Sequence, residues 1–346
     1  MWPSFGSLRR APPVILREIV DFLSPLGPGD RLGAYTIVRK LGEGGMGVVF
    51  EARHDRLSRP AALKVLSSWL ISELGRARFE REVQACARLT HPNTVEIYDY
   101  GESDDGTLFY AMEYLEGYDL RRLVELDGPQ PAARVIRILD QISGALGEAH
   151  DLGLIHRDIK PPNILLCEAG GVPDVAKLVD FGLVAPIRPT RDRLTVEGFV
   201  LGTPRYVAPE MLRPQIELSA ASDFYALGLV AYFLLSGRHA FDGEAGADIL
   251  KKQRDEAPPP LTEAPGDLAS VIDWCLEKDP AKRPGSAAIL RESLSRCRDA
   301  DGWDDEAARA WWDRWRESPT ADPAPAAIPS SPSITVPERP SAKEER

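Results

Sequence analysis

The chain has 346 residues, 43% of them hydrophobic and 27% charged, with 53 acidic against 42 basic side chains and a formal net charge of -11. That composition excludes a globally disordered, collagen-like or disulfide-dense chain, and the length allows one large domain or two to three small ones. The acidic balance argues against nucleic acid or an anionic membrane surface as the main partner.

Residues 1–33 hold several Pro and Gly and one short amphipathic stretch, Val14 to Leu23, which reads as a helix or arm packed on the domain that follows. Arg17, Glu18 and Asp21 interrupt the apolar run too early for a secretory signal. From Tyr35 the pattern turns to strands. Tyr35, Ile37 and Val38, then Val48, Val49 and Phe50, flank a glycine cluster and read as a hairpin. Ala62 to Leu66 is a third short run, Leu74 to Leu89 has helical spacing, and Val95 to Tyr100 and Leu108 to Leu115 are two more strands around a turn-rich segment.

After about residue 117 the period is mostly helical. Val135, Ile138, Leu139, Ile142, Leu146 and Ala149 mark one buried helix face. Ile164 to Leu166 and Lys177 to Val179 look like strands, and helices are expected near residues 219–235, 245–254, 268–277 and 286–297. Strands first and helices afterwards predict an α+β protein of two lobes. The longest apolar run, Tyr225 to Leu235, is about half of the roughly 20 residues of a membrane span. Cys86, Cys167, Cys275 and Cys297 lie far apart, which suggests neither a zinc site nor a disulfide framework and fits a reducing compartment. Trp303, Trp311, Trp312 and Trp315 sit in a segment, 298–317, that reads as a helix docked on the main domain, or alternatively as one that binds a regulator. Residues 318–346 read as a disordered Pro- and Ser-rich tail.

Four segments carry chemistry. Gly42-Glu43-Gly44-Gly45-Met46-Gly47 lies between two strands, as either a flap over nucleotide phosphates or a plain hairpin. Lys64 lies inside an apolar strand and, if buried, needs a counter-charge, for which Glu82 is a candidate; a solvated lysine on an exposed face is the other reading. Asp158 and Asn163 share one loop, His156-Arg157-Asp158-Ile159-Lys160-Pro161-Pro162-Asn163, before an apolar strand. An aspartate there can accept a proton from an attacking hydroxyl, and an amide oxygen suits Mg²⁺. Asp180-Phe181-Gly182 places a second oxygen ligand at a strand end.

These motifs, in this order, resemble the eukaryotic-type (Hanks-type) protein kinase family, and their wording is most similar to bacterial Ser/Thr kinases. The resemblance spans about residues 35–297. It implies the bilobal kinase fold, with a small β-rich N-lobe carrying one helix (about 34–115) and a larger helical C-lobe (about 116–297). It implies ATP and Mg²⁺ as cofactors, with Mn²⁺ as a substitute, and protein Ser/Thr hydroxyls as substrate. Gly42, Gly44 and Gly47 would cover the ATP phosphates, Val49 and Ala62 would line the adenine pocket, and Leu41 would belong to the same nucleotide-binding set. Lys64, held by Glu82, would contact the α- and β-phosphates. Met112 matches the gatekeeper, and Glu113 to Leu115 match the hinge. Asp158 would be the catalytic base, Lys160 would neutralise the γ-phosphate, and Asn163 and Asp180 would hold the metal.

The resemblance also implies that Glu210 pairs with Arg283 and that Asp223 anchors the catalytic loop. Lys160 and Thr203 favour Ser/Thr over Tyr. Arg157 would read a phosphate on the activation segment, where Thr195 aligns with the site of autophosphorylation and Glu197 replaces a second threonine. A pseudokinase scaffold and a small-molecule kinase are the competing readings. With no apolar span and no nucleic-acid signal, a cytoplasmic enzyme is expected.

Overall fold

The computed structural model describes residues 26–44, 47–66, 73–103, 106–181, 204–213 and 218–316. Its first lobe is a six-stranded antiparallel sheet in the order β1-β2-β3-β4-β6-β5. The strands are β1 (Arg31–Leu32), β2 (Tyr35–Gly44), β3 (Gly47–His54), β4 (Pro60–Leu66), β5 (Ile97–Glu102) and β6 (Leu108–Glu113). Side chains alternate between two faces with period two. Phe50, Ala52, Ala61, Leu63, Phe109 and Ala111 fill one small core. Val49, Ala62, Leu66, Leu108, Tyr110 and Met112 point the other way and join the main core. Helix α1 (Glu73–Cys86) covers this second face with Phe79, Val83 and Cys86.

Six helices of the second lobe are α2 (Leu120–Asp127), α3 (Ala132–Asp151), α4 (Ala220–Ser236), α5 (Gly246–Asp255), α6 (Gly266–Cys275) and α7 (Ala287–Ser295). Helix α4 is buried from Ser222 to Leu235, as expected of a helix apolar all round. It stops at Gly237, whose φ of 70° suits the left-handed cap position and whose N–H bonds back to Phe233. A second sheet, β7 (Gly117–Asp119), β8 (Ile164–Ala169) and β9 (Val172–Leu178), packs on the helical lobe, where Gln141 of α3 bonds Asp174 O and Ala176 N of β9, both at 3.0 Å. β7 is too short to show a period. Leu178 bonds to Asn93 and Val95 (2.8 and 3.0 Å), tying β9 to the chain entering β5.

The Trp-rich segment docks. Helix α8 (Asp305–Arg316) buries Trp311 and Trp312 against Tyr118, with ring centroids 6.1 and 5.6 Å apart. Those two indoles are therefore packed on the C-lobe and not presented to a regulator. Beneath them Arg134 and Asp174, 0% and 1% exposed, form a bidentate pair at 2.8 Å. The Asp174 carboxylate also accepts from Trp303 Nε1 (2.8 Å) and Trp312 Nε1 (2.7 Å), and the guanidinium carbon lies 4.0 Å over Trp311. Salt bridges from Arg137 to Asp305 and from Arg316 to Glu168 close the rim.

All four cysteines are buried and free. Burial pushes the Cys86, Cys167 and Cys275 thiols up to about 12. No helix among the described residues is long and apolar enough to cross a membrane. The expected arm at Val14 to Leu23 and the tail from 318 lie outside the described residues.

Candidate active site

The glycine segment is a hairpin. Gly42 pairs with Val49 and Gly44 with Gly47, while Gly45 and Met46 lie outside the described residues. Gly47 has φ +145°, and a Cβ there would meet the Val65 carbonyl oxygen at 2.0 Å, so no other residue fits. Below the hairpin, Val49, Ala62 and Met112 are buried, with Leu41 and Leu115 packed beside them. The Glu113 side chain is turned away to Lys177 of β9, 2.8 Å, and its N–H bonds to Glu96 O.

The loop from His156 to Asn163 is pinned from three sides. Asp223, 1% exposed at the start of α4, accepts from the backbone N–H groups of His156 and Arg157, both at 2.9 Å, and bonds His150 Nε2 at 2.9 Å. This is the anchoring expected of it. His156 is wholly buried. Its Nδ1 accepts from the Asp158 N–H (3.3 Å), which leaves the proton on Nε2, 3.1 Å from Val179 O. Burial holds this ring below the ordinary imidazole value, so it is a neutral strut. Glu210 takes both terminal nitrogens of Arg283, at 2.7 and 2.8 Å, as expected, with Ser222 adding a third bond.

On that frame three side chains meet. Lys160 Nζ donates to Asp158 Oδ2 at 2.8 Å, and Asn163 Nδ2 donates to the same oxygen at 3.0 Å and to the Asp158 carbonyl at 2.7 Å. Oδ1 of Asp158 takes no hydrogen bond among the described residues. Asn163 Oδ1 is buried without a hydrogen-bond partner, an arrangement that ordinarily costs about 1–3 kcal/mol.

Asp180 faces this group from the end of β9, with a left-handed φ of 56°. Lys64 Nζ lies 2.7 Å from its Oδ1, and the Tyr110 hydroxyl donates to the same oxygen at 2.9 Å. Burial opposes the charge on Asp180, but Lys64, Tyr110 and the nearby Lys160 together hold its carboxyl below the usual value. Phe181 packs on His156, ring centroids 4.5 Å apart.

One expected pairing is corrected. Lys64 pairs with Asp180 and not with Glu82, whose Oε1 lies 3.8 Å from Arg157. The sheet register sets Lys64 opposite Tyr110, and both side chains reach Asp180 Oδ1. Thr195, Glu197 and Thr203 lie outside the described residues, as does Gly182. Tyr110 and Lys177 escaped the sequence reading. The alternation Leu108, Tyr110, Met112 was the one signal that Tyr110 shares the cleft face.

The sequence matches the protein kinase domain family over residues 35–295. Serine/threonine-protein kinase pkn3 of Myxococcus xanthus is 40% identical over 269 residues, 75% of this chain and 49% of that protein. The chain thus spans about half the length of that relative. The crystal structure of the Mycobacterium tuberculosis PknI kinase domain is 31% identical, with a TM-score of 0.62, over 78% of this chain and 98% of that one. The structure of Rad53 1–466 in complex with AMP-PNP is 26% identical, with a TM-score of 0.63, over 75% and 64%. The β-rich lobe, the helical lobe and the charged residues gathered between them place this chain in the protein kinase family.

Proposed function

We propose that the chain is a serine/threonine protein kinase that uses ATP and Mg²⁺. The observation that carries this reading is the meeting of Asp158, Lys160 and Asn163 around one carboxylate, close to the Lys64–Asp180 pair. The donor set fits a hard cation. Asn163 Oδ1 is buried and unpartnered, and Asp180 Oδ2 takes no hydrogen bond among the described residues. Asn163 and Asp180 are the residues that would hold Mg²⁺, which supplies charge neutralisation on phosphate oxygens when bound.

The rest is positioning by the chain itself. Lys160 and Asn163 fix Asp158 through Oδ2, so Oδ1 is the oxygen that orients a protein hydroxyl and takes its proton. Lys160 also supplies positive charge near the transferred phosphoryl group. Lys64 must exchange Asp180 for the α- and β-phosphates. Gly42, Gly44 and Gly47 close over the phosphates, and Val49, Ala62 and Met112 enclose the adenine ring. Arg157 and Thr195 form the proposed regulatory pair, with a phosphate on Thr195 drawn to the guanidinium. Lys160, two residues after the base, and Thr203 support Ser/Thr over Tyr.

The test is incubation with labelled ATP and Mg²⁺, beside Asp158→Asn, followed by mass spectrometry. Phosphate on serine or threonine, including Thr195, is expected in the wild type and absent in the variant. ATP binding with no phosphate on the chain or on basic protein substrates would point to a binding module instead.

A further inference from the structure

Tyr110 stands out because its hydroxyl has one described bond, and that bond ends on the proposed metal site. Its ring is buried at 3% exposure, and strand register sets it opposite Lys64 on the same face of the sheet. Both groups reach one atom, Asp180 Oδ1, at 2.9 and 2.7 Å. Phenylalanine would fill the same space, so the hydroxyl is superfluous to packing.

Asp180 needs such a hold. Its φ of 56° is strained for a residue with a side chain. In the reaction proposed above, Lys64 leaves Oδ1 for the nucleotide phosphates, and Tyr110 is then the remaining described donor on that oxygen. We infer that Tyr110 is a positioning residue of the phosphotransfer site: its hydroxyl fixes the Asp180 carboxylate through Oδ1 and so presents Oδ2 to the divalent cation. The inference rests on the kinase reading.

Tyr110→Phe in the full chain tests it. Mn²⁺ binding in the presence of ADP is followed by electron paramagnetic resonance, beside wild type and Asp180→Asn. The expected result is affinity weakened by about 10-fold in Tyr110→Phe, the scale at which partners of metal ligands act, with a melting temperature lowered by no more than a few degrees, the scale of one lost hydrogen bond. Phosphotransfer should fall at low Mg²⁺ and recover at high Mg²⁺, which a packing defect would not do. If wild type binds Mn²⁺, Asp180→Asn does not, and Tyr110→Phe matches wild type, Tyr110 has no such role. If the wild type binds no Mn²⁺ with ADP, the metal-site reading falls and this inference with it.

Discussion

Asp174 and Asp180 belong to the same stretch of chain, and both have a left-handed φ, 53° and 56°. Their carboxylates are used in opposite ways. Each oxygen of Asp174 receives one guanidinium nitrogen of Arg134 and one indole N–H. Asp180 receives its two described donors on a single oxygen. A buried carboxylate with every direction filled holds structure together and cannot exchange partners without a large loss. One filled on one side retains an oxygen for something else. The same residue type, in the same backbone conformation, is a fastener near one end of β9 and, in the proposed reaction, a working group just beyond the other.

The largest effect is expected at the fastener. Arg134→Ala leaves the Asp174 charge buried without its counter-ion, and loss of one partner in such a pair costs about 3–5 kcal/mol. Chemical denaturation should show that loss. Asp180→Asn should do the reverse. It should lower kcat by about 10²–10³, the typical cost of removing one transition-state electrostatic group, with a smaller thermal loss than Arg134→Ala, because the amide oxygen can still accept from Lys64 and Tyr110. Equal thermal losses in the two variants would erase the distinction.

A third acid sharpens it at smaller amplitude. Burial opposes ionisation of Glu210, yet the bonds from Arg283 and Ser222 hold its carboxyl below the ordinary value of 4.5. A depressed carboxyl stabilises the fold above its unfolded pKa and loses that contribution as pH falls through the folded one. Stability should therefore decline below about pH 4.5 in the wild type. Glu210→Gln, though less stable throughout, should show a flatter decline over that range when urea midpoints are compared.

The lobes and the charged loop residues are legible in the sequence because both are local. Alternation in β3, β4 and β6 marks the two faces of the first sheet, and the loop from His156 to Asn163 keeps its donors and acceptors within a few residues. Partnerships across the fold were not legible. The sequence offers Glu82 as the partner of Lys64, and only the fold shows that Asp180 takes it. Nothing local in the sequence marks Arg134, yet it is 0% exposed, paired with Asp174 and covered by Trp311 of α8. Three-residue β7 went unseen, since a strand that short has no period. Thr195 and its surroundings lie outside the described residues.

The buried thiols have a practical consequence. Alkylating reagents attack the thiolate and need access to it. Cys86, Cys167 and Cys275 are shielded and stay protonated near neutral pH, and Cys297 is also buried. The chain has four cysteines in all, so it is a quiet background for maleimide chemistry. New cysteines at Leu57 on the first lobe and Ile289 on the second, 70% and 45% exposed, would each take a fluorophore or spin label. The separation of the two lobes could then be followed directly as nucleotide is added, with every native cysteine left in place.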